Sequence, residues 1–253
     1  MQLTPEMFLI VCPLLFLAGF VDSIGGGGGL ISLPAYLLAG LPVHAAIATN
    51  KLSSACGTSL ATARFIRKGF VNFRLAVPSV AAAVLGASLG AKWSLSVSET
   101  VMRCVLFAVL PVAAFFVLNR HLFQDKGKKE AAANRKTMIV CIVSAFVIGM
   151  YDGFYGPGTG TFLIISFTVF AGMTVNSSNA QAKVINLTSN ITSLSVFLLN
   201  GQVLIPLGLA AAACNMAGSW IGSGLAISKG TKIVRPVILM VLLLLLAKLL
   251  FGF

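Results

Sequence analysis

Charge is what this chain lacks most. Only 9% of its 253 residues are charged, six are acidic, and there are two histidines and two tryptophans. Soluble domains run near 25% charged residues, so a water-exposed surface cannot be assembled from this composition. No Ser-His-Asp or Cys-His pairing presents itself, and Asp22 and Asp152 are the only carboxylates inside apolar segments. An enzyme reading therefore has no catalytic set to stand on. Cys12, Cys56, Cys104, Cys141 and Cys214 are odd in number and widely spaced, without a CxxC. Neither a disulfide framework nor a metal site follows from them. Gly156–Pro157–Gly158–Thr159–Gly160 lacks the Lys-Ser/Thr ending of a phosphate-binding loop and follows an apolar helix, which excludes nucleotide binding. No cofactor is expected.

What the chain has is apolar length. Hydrophobic residues make up 58% of it, and its mean hydropathy is +0.98. A spanning helix needs about 20 apolar residues. Met7–Val21, Val71–Ala91, Val101–Leu118, Lys136–Met150, Val203–Ile227 and Ile233–Phe253 qualify as membrane segments. The first has no positive leader ahead of it and reads as a retained segment rather than a signal peptide. The net charge of +12 does not indicate nucleic acid. Most of the Lys and Arg sit in short loops between apolar segments, as cytoplasmic loops do.

The chain repeats itself. Gly19–Phe20–Val21–Asp22 resembles Gly149–Met150–Tyr151–Asp152, 130 residues on, and each is followed by a glycine cluster. Further along the spacing is 132: Lys51 matches Lys183, Gly69 matches Gly201, Gly86 and Gly90 match Gly218 and Gly222, and Arg103 matches Arg235. Matches in one order at one spacing indicate duplication. Each half reads as an apolar helix ending at Asp, a glycine turn, a short apolar piece (Leu30–Leu41; Phe162–Met173), a long helix carrying Lys (Val43–Phe65; Val175–Leu199) and two more spans. The short pieces cover only about 18 Å and cannot cross a core of roughly 30 Å. A hairpin that dips in and turns back, or a broken helix, is expected. Such interrupted segments at matching places in two halves point to a transporter binding site.

Five segments per half would invert the second half relative to the first, and the loops agree. Arg64, Arg67, Lys68 and Arg74 occupy one loop, while the matched loop Asn200–Pro206 has no cation. Arg120, Lys126, Lys128, Lys129, Arg135 and Lys136 outnumber Asp125 and Glu130 in the linker, and Lys229, Lys232 and Arg235 form a third cluster. All three read as cytoplasmic, which puts both termini outside. The expected architecture is an all-α polytopic membrane protein with two inverted-topology repeats, each a re-entrant or broken helical hairpin plus three spanning helices. Residues 1–119 form the first half, 120–136 a basic cytoplasmic linker and 137–253 the second half.

Ionisable residues inside membrane segments are functional candidates. Lys51 and Lys183 lie at matched depths, roughly 12 Å into their helices. Each follows a glycine turn and a helix start, where N–H groups favour anions. Around them stand Thr49, Asn50, Ser53, Ser54, Asn186, Thr188, Ser189 and Asn190. With Gly26, Gly27, Gly28, Gly156, Gly158 and Thr159 they make a donor-rich candidate site for a small oxygenated anion. Alternatively, Lys51 and Lys183 pair with Asp22 and Asp152 in a neutral buried network. The two acids read as helix caps or lysine partners, with proton carriage as the second reading.

Gly19–Phe20–Val21–Asp22–Ser23–Ile24 with its glycine run, Ala48–Thr49–Asn50–Lys51–Leu52 and Gly69 resemble the sulfite exporter TauE/SafE family. The second copy, Gly149–Met150–Tyr151–Asp152–Gly153 through Gly160 and then Gln181–Ala182–Lys183–Val184–Ile185–Asn186, is similar to that family's C-terminal half. Ala182 departs from the repeat, where the first copy has Asn50, so any site is pseudo-symmetric. The resemblance implies a carrier in the bacterial inner membrane that exports sulfite, sulfonates or related anions, with the anion and the lipid bilayer as its partners and no nucleic acid. It sets no oligomeric state. A proton- or cation-coupled carrier built on Asp22 and Asp152 is the rival transporter, and a membrane sensor or assembly protein the rival outside transport.

Overall fold

A computed structural model of the chain describes residues 3–98, 100–101 and 134–251. Most of the expected span Val101–Leu118 and of the basic linker lies outside the described residues, as do Glu99, Arg103, Cys104 and His121. Among the described residues the secondary structure is helical, without strands. The helices are α1 (Pro5–Gly25), α2 (Gly29–Leu38), α3 (Val43–Arg67), α4 (Phe73–Ser96), α5 (Arg135–Phe154), α6 (Thr159–Val169), α7 (Val175–Leu199), α8 (Ile205–Lys229) and α9 (Thr231–Phe251). Five of them, α1, α4, α5, α7 and α8, are long and apolar enough to cross a membrane. α3 is as long as α7 but ends in Arg64 and Arg67, and its Thr49, Asn50, Lys51, Ser53, Thr58 and Thr62 are buried inside the protein.

The boundaries follow local chemistry. Side chains of Asn72, Asn134 and Thr174 accept from the backbone N–H of Arg74, Thr137 and Ser177, which caps α4, α5 and α7. α3 and α7 both run into glycines of positive φ, Gly69 (+74°) and Gly201 (+65°), the pair matched in the repeat. The short pieces begin earlier and end earlier than composition suggests. Both restart within the glycine cluster itself and stop before the expected end, so that α2 has 10 residues and α6 has 11.

After Gly25, α2 doubles back along α1: a side chain at Gly28 would meet Asp22 and the Ala18 carbonyl. α6 doubles back along α5 in the same way, with Ser144 and Ser166 hydroxyls 2.6 Å apart. The two turns meet. The Thr161 N–H donates to the Gly26 carbonyl (3.2 Å), and the Thr161 hydroxyl donates to that of Gly25 (2.6 Å).

The remaining packing exchanges helices between the halves. α1 and α3 pack on α8, while α5 and α7 pack on α4. Small residues permit the close approach. A methyl group at Gly86 or Gly90 would strike the carbonyls of Phe146 and Met150; one at Gly218 or Gly222 would strike those of Phe16 and Phe20. These contacts map onto one another under the spacings of the repeat. Arg64 of α3 donates to Ser223 of α8 (3.1 Å) and stacks over the Trp220 ring at 4.2 Å, which brings the C-terminal ends of α3 and α8 together. Arg64, Arg67, Lys68, Arg74, Lys229 and Lys232 therefore gather at one end of the bundle. Gln181 at the start of α7 reaches the Asn72 carbonyl (3.4 Å), and Thr137 at the start of α5 reaches that of Ala171 (3.5 Å). Arg135 and Lys136 thus join the same end. Lys92 sits at the opposite end of α4.

Candidate functional site

Where the two glycine turns meet the lysine helices, a polar cavity opens, with about 310 Å3 of empty space counting its mouth. Both halves contribute to its wall. From the first come Asp22, Gly26, Gly29, Asn50, Lys51 and Ser54; from the second come Asp152, Gly156, Thr159, Gly160, Asn186 and Asn190. Both short helices start at this wall, at Gly29 and Thr159, so their positive ends face the cavity.

Two ion pairs flank it, and each joins one half to the other. Lys51 Nζ lies 2.8 Å from Asp152 Oδ2, and Lys183 Nζ lies 2.9 Å from Asp22 Oδ2. Lys183 also donates to the Asp22 backbone carbonyl. The pairing of lysines with acids that the sequence left open is thus present, and it is crosswise between repeats. Replacing a bulky apolar residue by an ion is costly in such a place unless the partner is close, and here both partners are.

The pairs differ. The Lys51–Asp152 pair is buried on both sides, at 2% and 4% exposure, and Asp152 Oδ2 also accepts from the Ser189 hydroxyl at 2.6 Å. Asp22 is 17% exposed and takes the Gly28 N–H on Oδ1 at 3.3 Å. Lys51 lines the cavity; Lys183 does not, since Asp22 stands between. Gly156 adopts φ +98°, and a Cβ there would come within 2.9 Å of Asp152 Oδ1 and 3.1 Å of Lys51 Nζ. The Gly in this turn leaves room for the ion pair as well as bending the chain.

The other predicted residues divide in two. Asn50 with Ser54, and Asn186 with Asn190, are pairs one helical turn apart, each joined by a hydrogen bond of 3.3 Å, but the repeat spacing sets Ser54 rather than Asn50 against Asn186. Gly26, Gly156 and Thr159 join them on the wall. Thr49 and Ser53 face elsewhere. Thr49 Oγ1 accepts from the Leu204 N–H (3.1 Å) at the head of α8, and Ser53 accepts from the Tyr36 hydroxyl (3.0 Å). Gly27 packs on Val241 of α9, Gly28 holds Asp22, and Gly158 (φ +83°) forms the cap ahead of α6. The N–H groups of Gly26 and Gly28 are taken by Asp22 rather than turned into the cavity. Gly29 and Gly160 also line the wall, with nothing in the sequence to set them apart from their neighbours in the glycine clusters, and Ser189, near Lys183 in the sequence, bonds to Asp152 instead. Among the described residues no cluster of metal-ligating side chains occurs.

The sequence has counterparts among known proteins. The family model for the sulfite exporter TauE/SafE family matches residues 11–249. The chain belongs to this family. A probable membrane transporter protein of Sinorhizobium sp is 36% identical over 227 residues, covering 89% of this chain and 85% of the relative. The probable membrane transporter protein YfcA of Escherichia coli is 34% identical, covering 99% of this chain and 92% of its own. One from Haemophilus influenzae is 33% identical over 94% of this chain and 92% of the relative. No solved structure matches. Membership makes the chain a multi-pass membrane protein of a transporter family, in accord with its five candidate spans.

Proposed function

We propose that this member of the TauE/SafE family exports a small sulfur oxyanion, sulfite or a sulfonate, through the central cavity, with Lys51 as the cationic group that the anion meets. The observation that carries the reading is Lys51 itself, a buried ammonium on the cavity wall amid Asn50, Ser54, Asn186, Asn190 and Thr159 and facing two helix starts. The family description, which names sulfite export, supports the substrate class. Lys183 takes part indirectly, by holding Asp22.

The arrangement in the bilayer belongs to the same proposal. The matched glycine contacts support two inverted repeats. The basic end formed by the α3–α4 loop, the start of α5 and the α8–α9 junction is assigned to the cytoplasm of a bacterial inner membrane, with both termini outside. An inside-negative potential favours outward movement of an anion by about 2.3 kcal/mol per charge per 100 mV.

The test is counterflow of labelled sulfite in proteoliposomes. Lys51→Met keeps bulk and removes the charge. A lost charge-assisted hydrogen bond of roughly 1.5–3 kcal/mol corresponds to about ten- to a hundredfold weaker binding. Saturable counterflow that K51M weakens by that order supports the site. Counterflow unchanged in folded K51M overturns it.

A further inference from the structure

We infer that anion binding at Lys51 transfers a proton onto Asp152, so that each anion bound is accompanied by one proton. The inference rests on the proposed anion site and names its coupling ion and the residue that holds it.

The charges on the cavity wall lead to this. Lys51, Asp22 and Asp152 face the cavity, whereas Lys183 lies behind Asp22. Among the described residues the wall therefore has one ammonium and two carboxylates, and its ammonium is already engaged by Asp152 at 2.8 Å. An anion reaching Lys51 takes the position of Asp152 Oδ2. Asp152, 4% exposed, is then left with the Ser189 hydroxyl. A buried carboxylate deprived of its cation is strongly disfavoured, and the neutral acid is the form that such a place accepts. The exchange balances. The ammonium and carboxylate are neutral together before binding; the ammonium, the anion and the carboxylic acid are neutral together after binding of a monoanion and one proton from solution. A dianion leaves one negative charge, which the potential acts upon.

Ser189 serves both states. Its hydroxyl donates to Asp152 Oδ2 and also lies 3.1 Å from the Asn186 carbonyl. Turned to that carbonyl, its oxygen accepts a hydrogen bond from the O–H of a neutral Asp152. The matched position in the first half is Gly57, which has no hydroxyl. Asp22 does not undergo the same exchange, because Lys183 and the Gly28 N–H stay bound to it when the cavity fills. Among the described residues few other ionisable groups face Asp152. On α3 there is Lys51; across the cavity on α1 there is Asp22 with Lys183 of α7; Tyr151 and Tyr155 flank it on its own helix. α6 has no ionisable residue, and Arg74 and Lys92 of α4 are exposed near its ends.

The experiment is calorimetric titration of the purified protein with sulfite at alkaline pH, where the free anion carries no proton, in buffers of different ionisation enthalpy. The slope against buffer enthalpy counts protons. About one proton taken up per anion is expected for the wild type, and about none for Asp152→Asn. Uptake that persists in folded D152N refutes the assignment and places the proton on the anion or another group. Should D152N fail to fold, the wild-type count decides alone: binding without proton uptake refutes the coupling and leaves the anion site standing. No sulfite binding by folded wild type removes the site and the coupling together.

Discussion

Lys183 is fully buried, and its ammonium is held by the side chain and the backbone carbonyl of Asp22. Lys183→Met would keep the packing volume and leave the Asp22 carboxylate with only the Gly28 N–H. Breaking one side of a buried pair costs about 3–5 kcal/mol, whereas removing both charges is close to neutral. Asp22→Asn added to K183M should therefore restore at least about 2 kcal/mol of the loss. Recovery is incomplete, because the Asp22 carbonyl has lost one donor, although the Gly26 N–H still reaches it at 2.8 Å. The Asn amide oxygen can go on accepting from Gly28. Equilibrium unfolding of the four proteins in mixed detergent and SDS measures the cycle. Single-variant losses that simply add in the double variant would refute the crosswise pair, since two groups that hold each other cannot be removed independently.

Two further outcomes follow from the same contacts. Gly218→Val places a branched side chain against the Phe16 carbonyl and should destabilise the protein by at least about 1–3 kcal/mol in the same assay, while Gly201→Ala, with open space around it but φ +65°, should cost only about 1 kcal/mol. Equal losses would mean that α1 and α8 do not pack at Gly218. In a cysteine-free background, Gln202→Cys should react with an impermeant thiol reagent from outside intact cells and Lys68→Cys only after the membrane is opened; reaction of both from one side rules out the inverted arrangement.

The duplication was legible because it is written in residue types that local chemistry restricts. Asp before a glycine cluster, Lys eight or nine residues into the next long helix and glycine at its end recur because each half solves the same backbone problem. The wall residues Asn50, Ser54, Asn186 and Asn190 could be picked out by their placement around the lysines. Thr49 and Ser53 satisfied the same criterion and point away. Neighbours at one residue's spacing lie about 100° apart around a helix, and only the packing partner tells which side is the cavity. The wall takes Asn50, Lys51 and Ser54, while α8 takes Thr49 and Tyr36 takes Ser53.

By itself the sequence determined the solvent, the repeat and the family of this protein. Scarcity of charge and abundance of apolar length are properties of composition, and residues matched at constant spacing are properties of order; neither depends on how helices meet. Only the tertiary structure decided which acid faces which base. Each Asp ends its own half's first helix and each Lys sits on its own half's third, so a pairing within the half reads as well as one across it. The halves exchange helices through glycine contacts at Gly86, Gly90, Gly218 and Gly222, and the glycine turns meet at Gly26 and Thr161. That packing brings Asp152 to Lys51 and Asp22 to Lys183, and leaves, among the described residues, a single ammonium on the cavity wall. Long-range approach of backbones, which no local pattern encodes, is the physical reason.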